Sequence, residues 1–316
     1  MTPIPVWTSE YLQDHALVGK IWHVKSGMFM EPSDLVTAMG KHDFALLGEK
    51  HDNADHHQIQ AWLVGQLLKQ GRKMAVAFEM FTTEQAEVLQ AFQESGSGKA
   101  SDLGPLTQWE KSGWPDWSYY APIAQHALDA NIPILAANMT RDQAMTMARQ
   151  NKSFLSDKDQ HRMGLDKPFP RDLTEFKALE LIRSHCNMMP ENMIEPMLLA
   201  QTTRDAVMAD VMIEAANTPG LDGTILIAGA GHTRNDWAVP WHLTQRIPDK
   251  SVLSLGILEV DENLLSVDDY SDEFDTGSVP FDYIWFTPRV DMEDPCEKYA
   301  EQLKNMGKAK PPSTEE

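Results

Sequence analysis

Two short segments, residues 48–51 and 229–232, share the pattern Gly-x-x-His directly after an apolar run. A glycine permits a sharp backbone turn at the end of a strand, and the histidine three residues later then projects over the sheet edge. His51 and His232 are therefore expected at strand ends. Two imidazoles at one edge can bind a divalent metal ion, or they can transfer protons to and from a substrate.

Two glutamates stand at the ends of apolar runs beside these histidines. Glu49 lies inside the first pattern, and Glu79 follows the run at 74–78. The carboxyl ends of parallel strands meet at one sheet edge, so we predict a single shared site. Its four candidate catalytic residues are Glu49, His51, Glu79 and His232. The candidate metal ligands are His51, Glu79 and His232. The alternative is a set of unrelated polar turn residues.

Arg204 begins a helical stripe that is otherwise apolar, with Val or Met at 207, 208, 211 and 212. A guanidinium buried on such a face needs an anion. The candidate partners are Glu79, Glu49, Asp205 and the carboxylate of a bound ligand.

The segment 55–57 offers two further histidines. Asp55 with Gln58 resembles a capping box, which favours a structural role for Asp55. His56 shares a helical face with Ile59, so it should point inward, either as a ligand or as a hydrogen-bonded core histidine. His57 falls on another face and is expected to be more peripheral.

Two adjacent tyrosines open the next helical pattern, for which Ser118 is the predicted N-cap. Tyr120 aligns with Ile123 and Ala124 and is expected in the core. Tyr119 lies off that stripe, which leaves its phenol free for solvent, substrate or an iron ion.

Apolar runs alternating with helical patterns predict an α/β fold, with a mainly parallel sheet, flanking helices and a helical insertion or cap. Predicted strands cover 44–47, 74–78, 132–136, 224–228, 252–260 and 283–286, and predicted helices cover 55–70, 83–94, 118–130 and 141–151. We expect one domain over 1–290, a helical insertion at about 157–217, a loop at 96–113 and a flexible polar tail at 291–316. The insertion is rich in methionine, which suits either a surface that covers a flat ligand or ordinary core filling; the methionines are Met188, Met189, Met193, Met197, Met208 and Met212.

The composition excludes several classes of protein. Lys and Arg number 27 against 47 Asp and Glu, and the net charge of -20 excludes nucleic acid as the main partner. No apolar run approaches the roughly 20 residues of a membrane span. P-loop, dinucleotide and Gly-x-Ser-x-Gly patterns are absent from the sequence. A small-molecule ligand is therefore the expected partner, and a homodimer is compatible with the sequence.

The terminus and the cysteines bear on the location of the protein. The first residues lack the basic and apolar regions of a secretory signal, so the chain as it stands is expected in the cytoplasm. A periplasmic or outer-membrane-associated location is the alternative if a signal was removed. Cys186 and Cys296 belong to no CxxC pattern, and we expect two unpaired thiols.

Several separated blocks resemble the ChaN family of haem-binding uptake proteins, within the Tiki/TraB and erythromycin-esterase-like superfamily. They are Leu-Leu-Gly-Glu-Lys-His-Asp-Asn at 46–53 with two histidines at 56–57, Tyr-Tyr-Ala-Pro-Ile at 119–123, Ile-Leu-Ala-Ala-Asn at 134–138, Ala-Gln-Thr-Thr-Arg-Asp at 200–205, and Gly-Ala-Gly-His at 229–232. Glu49, His51, Glu79 and His232 match the site shared across that superfamily.

The resemblance implies non-covalent haem binding with a tyrosine as the axial ligand, for which Tyr119 and Tyr120 are the candidates, and a role in haem or iron uptake or handling. The residues predicted to bind the cofactor are Tyr119, Tyr120, Arg204 and His56. We expect haem in a cleft between the strand ends and the insertion. The rival function is a hydrolase, a peptidase or an esterase, in which His51, His232 and Glu79 hold a divalent metal ion and Glu49 activates water as the general base. A metal-free variant would use a histidine as the base itself.

Overall fold

The computed structural model describes residues 4–96, 98–274 and 276–304, apart from the side chain of Gln302. The described residues form one eight-stranded sheet. Its strands are β1 (Ile21–His23), β2 (Met28–Met30), β3 (Phe44–Glu49), β4 (Met74–Thr82), β5 (Ile134–Asn138), β6 (Gly223–Gly229), β7 (Val252–Glu259) and β8 (Tyr283–Thr287).

The spatial order of the strands is β2-β1-β8-β7-β3-β6-β4-β5. Strands β3 to β8 pair in parallel with one another, and β1 pairs antiparallel with both β2 and β8. The six predicted strands are therefore confirmed. The β1–β2 hairpin was not predicted, because three-residue strands are too short to show a period in the sequence.

The α-helices of the described residues flank this sheet. They are α1 (Pro32–Met39), α2 (Ala54–Lys69), α3 (Ala86–Ser95), α4 (Ala100–Leu106), α5 (Ala121–Asp129), α6 (Arg141–Gln150), α7 (Asp157–Met163), α8 (Arg171–Ser184), α9 (Glu191–Ala216), α10 (Ala230–Thr233), α11 (Val239–Arg246), α12 (Pro295–Lys298) and α13 (Ala300–Lys304). Within these same residues no helix is long and apolar enough to span a bilayer.

Strand β3 shows how the core is divided between the two faces of the sheet. Its side chains are buried throughout, as is usual for a central parallel strand. Ala45 and Leu47 pack in a cluster with α2 and α5, whereas Phe44 and Leu46 pack in a second cluster with α9 and α11. Burial of each large apolar side chain contributes roughly 1.5–3 kcal/mol, so both layers hold the strand ends in place.

The predicted helical insertion is formed by α7, α8 and α9. Helix α9 packs against α6, α8, α11 and the strands β4, β5 and β6. Its residues Met208 and Met212 are fully buried against the sheet. These two methionines fill the core, so the expectation that they cover a ligand is wrong.

Two other expectations differ from the structure. The segment 96–113, expected as a loop, contains α4 and a 3₁₀ helix at Trp109–Lys111. Cys186 and Cys296 form a disulfide rather than two free thiols. That bond ties α12, in the segment expected to be a flexible tail, to the connection between α8 and α9, while residues 305–316 lie outside the described residues.

Candidate functional site

The two Gly-x-x-His segments interlock at the carboxyl ends of β3 and β6, which pair in parallel with Glu49 opposite Gly229. A Cβ atom on Gly48 would lie 2.9 Å from the Cα of Ala230, in the second segment. A Cβ on Gly229 would lie 3.0 Å from Cε1 of His51, in the first. The glycines are therefore required by close approach between the segments, and neither has the positive φ that a sharp turn would need.

Glu49 and His51 form the first carboxylate–imidazole pair of the site. Glu49 is buried, and its Oε1 lies 2.6 Å from Nδ1 of His51. Burial by itself lowers the pKa of His51, but the charge and hydrogen bond of Glu49 outweigh that effect and raise the pKa to about 9. The Nε2 atom of His51 makes no hydrogen bond with a described residue, and 39% of the side chain is exposed.

His232 forms the second pair, between two carboxylates. Its Nδ1 lies 2.6 Å from Oδ1 of Asp205, and its Nε2 lies 3.3 Å from Oε1 of Glu79. Burial lowers the pKa of His232, but the charges of Glu79 and Asp205 raise it to about 9. The other oxygen of Glu79 accepts a hydrogen bond of 2.8 Å from the backbone N–H of Gly229. At neutral pH His232 is therefore an imidazolium held by two carboxylates.

Asp205 extends this network into the helical insertion. Its second oxygen accepts a hydrogen bond of 2.9 Å from Nζ of Lys177, and both side chains are buried. The sequence had suggested Asp205 only as a partner for Arg204. Its place beside His232 depends on how α9 lies against the strand ends, which no local pattern reveals.

The carboxylate of Glu79 is close enough to His51, His232 and Arg204 for all three charges to affect its pKa. Burial would raise the pKa of Glu79, but the charges of His232, His51 and Arg204 hold it well below its usual range. The structure thus brings the four predicted site residues to one edge of the sheet, with Glu79 in electrostatic contact with both imidazoles.

Arg204 is half-buried and lies at an open cleft. Its Nη1 is 3.5 Å from Oε1 of Gln201, its Nε has no hydrogen-bond partner, and it forms no ion pair with any described carboxylate. The cleft has a volume of about 750 Å³. Its lining includes Glu79, Met80, Trp109, Trp114, Met139 and Arg204.

Asn138, at the end of β5, also lines this cleft. Its Oδ1 is buried and makes no hydrogen bond, so it is available to a ligand. Sequence reasoning did not select Asn138 as a site residue. The only signal for it was its place as the last residue of the ChaN-like block at 134–138.

His56 lies inside the fold, away from the cleft. Its Nδ1 accepts a hydrogen bond of 2.9 Å from the backbone N–H of Lys50, and its Nε2 is 2.8 Å from Oγ1 of Thr287. Burial lowers its pKa well below the usual value. Both ring nitrogens of His56 are bonded within the fold. The sequence left open whether His56 is a ligand or a hydrogen-bonded core histidine, and this geometry is that of the core histidine.

His57, expected to be peripheral, is instead buried. Its Nε2 is 3.0 Å from the backbone oxygen of His51, and its ring packs on Tyr119 and Tyr120. The N-cap of α2 is Asn53, not Asp55. Asp55 accepts hydrogen bonds from Thr8 and Ser9 and so anchors the amino-terminal segment.

The two candidate tyrosines differ in accessibility. Tyr120 is fully buried, its hydroxyl has no hydrogen-bond partner, and burial together with the charges of Glu49 and Glu79 raises its pKa. Tyr119 is half-buried, with its ring stacked on His57 at 5.6 Å between centroids. Both tyrosines lie just before α5. The segment Trp117–Tyr119 forms a 3₁₀ helix whose N-cap is Asp116, so the predicted N-cap, Ser118, is wrong.

The sequence profile of the family described as haem-binding uptake, Tiki superfamily, ChaN matches residues 35–243, which is more than half of the chain. The chain belongs to the ChaN family. The resemblance noted from the sequence blocks is confirmed, and the matched region contains every predicted site residue.

One solved structure supports the fold. A structure of cofacial haem binding to ChaN of Campylobacter jejuni is 20% identical, covers 84% of this chain and 95% of that chain, and has a TM-score of 0.64. An erythromycin esterase EreC variant is 14% identical over 72% of each chain, with a TM-score of 0.44. A Bacillus cereus protein is 13% identical over 72% of this chain and 68% of that chain, with a TM-score of 0.40. The last two likenesses are too weak to support a functional inference. No curated protein sequence matches significantly.

The predicted divalent metal finds no support in this ChaN protein. Among residues 4–96, 98–274 and 276–304, no group of three or more His, Cys, Asp or Glu side chains is arranged to hold a metal ion. His51, Glu79 and His232 lie close together, but the imidazoles bind carboxylates.

Proposed function

We propose that this ChaN-family protein binds haem non-covalently in the cleft beside the strand ends. The observation that carries the proposal is the combination of aromatic and thioether walls with a half-buried guanidinium that has no anionic partner. Haem has the same combination of chemistries, since its flat porphyrin is apolar and its two propionates are anionic.

The walls of the cleft suit the porphyrin. Trp109 is buried, Trp114 is half-buried, and Met80 and Met139 are almost fully buried beside them. Trp114 also contacts the ring of His51 edge-on, with 4.8 Å between the centroids. Aromatic rings and thioethers offer apolar, polarisable surfaces against which a flat ligand can pack.

Two arginines of the cleft suit the propionates. Arg204 has an unpartnered Nε, and Arg141, at the start of α6, is exposed and forms no ion pair with a described residue. A propionate bound to a guanidinium forms a charge-assisted hydrogen bond, which is stronger than a neutral one.

The iron ligand in this proposal is Tyr119, on the strength of the family resemblance and its half-buried phenol. Tyr119 stacks on His57 and does not itself line the cleft, so the proposal requires its side chain to turn towards the iron. Tyr120 is the weaker candidate, because burial and two nearby carboxylates raise its pKa and so disfavour the phenolate. The next candidate is His51, whose Nε2 is unbonded while Glu49 holds its Nδ1. A carboxylate that orients a ligating imidazole in this way also raises its basicity.

Titration with ferric haem tests the proposal. We expect a Soret band that saturates at micromolar concentration, and a loss of affinity of roughly tenfold in Arg204→Ala, since a hydrogen bond to a charged group is worth about 1.5–3 kcal/mol. Arg149→Ala, an exposed change on α6, is the matched control and should leave the affinity unchanged. If the wild type binds no haem in this range, the proposal fails.

The carboxylate–imidazole pairs favour one second candidate, a metal-free hydrolase. His51 or His232 would serve as the general base. Because the pKa of each imidazole is raised to about 9, hydrolysis of a test ester should increase as the pH rises through that value. A rate that does not change with pH, or that is unaltered in His51→Gln and His232→Gln, would remove this candidate.

A role in haem or iron handling outside the cytoplasm is the remaining part of the proposal. It is supported by the disulfide between Cys186 and Cys296, because such bonds persist in oxidising compartments. Thiol trapping in intact cells tests it. Cysteines that resist alkylation until a reductant is added agree with a periplasmic location, whereas immediate alkylation of both favours the cytoplasm.

A further inference from the structure

A second cavity lies in the helical insertion, between α8, α9, α11 and the connection at 164–170. It has a volume of about 600 Å³. It shares no lining residue with the cleft beside Glu79 and Arg204 that is proposed to bind haem, called the haem cleft below. Its walls are mainly apolar and include Met163, Leu165, Phe169, Leu198, Leu199 and Trp241. The rings of Phe169 and Trp241 pack together with 4.4 Å between their centroids, which makes a continuous aromatic wall.

Three polar side chains of this lining carry buried atoms without a hydrogen-bond partner. They are Oγ1 of Thr203, Nε2 of His242 and Nη1 of Arg246. Thr203 and His242 are almost completely buried, with 0% and 2% of their surface exposed. A buried polar group without a partner costs about 1–3 kcal/mol, and three such groups around one cavity indicate a polar group of a ligand.

The charges around the cavity indicate the sign of that ligand group. Lys177 and Arg246 line it with their charged ends largely buried, held by Asp205 and Asp210 respectively. The other charged residues of the lining, Lys167 and Glu195, are exposed and opposite in sign. Burial lowers the pKa of His242 to about 3, helped by the charges of Lys177 and Arg246 and opposed by that of Asp205, so the imidazole is neutral at pH 7. An anionic group would accept hydrogen bonds from the guanidinium, the hydroxyl and this imidazole.

We propose that this cavity binds a small organic anion, with an aromatic or alkyl body against Phe169 and Trp241 and one carboxylate directed at Thr203, His242 and Arg246. A cavity of this size accommodates a small-molecule ligand. The site is separate from the haem cleft, although Lys177 links the two through Asp205, which also holds His232. The inference does not depend on haem binding.

Calorimetric titration of the full chain with naphthylacetate and with its neutral amide, naphthylacetamide, tests the charge requirement. Both have the same aromatic body. We expect the acid to bind about tenfold or more tightly than the amide, because only the carboxylate carries a negative charge that can pair with the guanidinium. Equal affinity for the two compounds, or no heat for the acid at millimolar concentration, would overturn the proposal.

Three variants place the ligand in the cavity. Leu198→Trp fills the space and should abolish binding, whereas Leu179→Trp, at an exposed position on α8 outside the cavity, should leave it unchanged. Thr203→Val replaces the hydroxyl with a methyl group of similar size and should weaken acid binding roughly fivefold, with little effect on the amide. Unchanged binding in Leu198→Trp, with the fold verified by its melting temperature, would show that the ligand lies elsewhere.

Competition with haem distinguishes this inference from the proposed function. Wild type loaded with haem should still bind naphthylacetate, and Leu198→Trp should still bind haem. Displacement of the acid by one equivalent of haem would mean that a single site takes both molecules, and the claim of a separate anion site would be wrong.

Discussion

The ring of His51 lies against Gly229, so that a Cβ atom added to the glycine would stand 3.0 Å from Cε1 of the imidazole. The backbone N–H of the same glycine donates a hydrogen bond to Glu79. This one contact joins the two Gly-x-x-His segments and fixes the distance between their functional groups.

Gly229→Ala should displace His51 and destabilise the fold by roughly 1–3 kcal/mol, because the added methyl group overpacks a buried contact. The pKa of His51 should then fall from about 9 as the ring moves away from Glu49. Chemical denaturation and NMR titration of the imidazole measure both effects. Gly231→Ala is the control, since a Cβ there has no neighbour within 4 Å, and equal effects of the two substitutions would refute the interlock.

The stability of the protein should decrease as the pH rises through about 9. The folded-state pKa of His232 is raised above its ordinary value of 6.5, so its stabilising effect is fully present below pH 6.5 and is lost on deprotonation near pH 9. For this largely buried group the loss is on the order of 2 kcal/mol. Denaturation midpoints from pH 6.5 to 10 should show a flatter profile in His232→Gln than in wild type.

Arg204→Ala should have little effect on the stability of the haem-free protein. A half-buried guanidinium without an ion pair contributes no more than about 1 kcal/mol, which is less than the cost of breaking a buried pair. Haem should raise the melting temperature of the wild type more than that of the variant. A large loss without haem would mean that Arg204 stabilises Glu79 far more than its exposure suggests.

Tyr119→Phe should weaken haem binding and abolish the phenolate charge-transfer band, whereas Tyr120→Phe should leave both unchanged. A phenolate prefers ferric iron because its hard anionic oxygen stabilises the higher charge. The wild-type complex should therefore be high-spin ferric and should loosen when dithionite is added. If Tyr119→Phe retains the spectrum of the wild type, His51→Gln is the next variant to measure.

Cys186→Ser and Cys296→Ser should each lower the free energy of unfolding under oxidising conditions by about 2–4 kcal/mol, since each removes the same cross-link. The double variant should be no less stable than either single variant. A reductant should lower the stability of the wild type alone. Additive losses in the double variant would show that the two cysteines act independently.

The sequence by itself determined the order of the main elements and the edge at which the site lies. Apolar runs predicted β3 to β8, and apolar residues at helical spacing predicted the helical segment 157–217. Both patterns are visible within the segment itself, without knowledge of its neighbours in the fold. The positions of Glu49, His51, Glu79 and His232 followed from parallel strands, whose carboxyl ends meet at one edge whatever their spatial order.

The tertiary structure decided which side chains meet and which are enclosed. The link from Lys177 through Asp205 to His232, the disulfide between Cys186 and Cys296, and the cavity around His242 each join segments far apart in the chain. A local period shows which face of a helix is apolar, but it does not specify the neighbour that covers that face. These contacts depend on how α8, α9 and α11 pack against the sheet and one another, and that packing is a property of the whole fold.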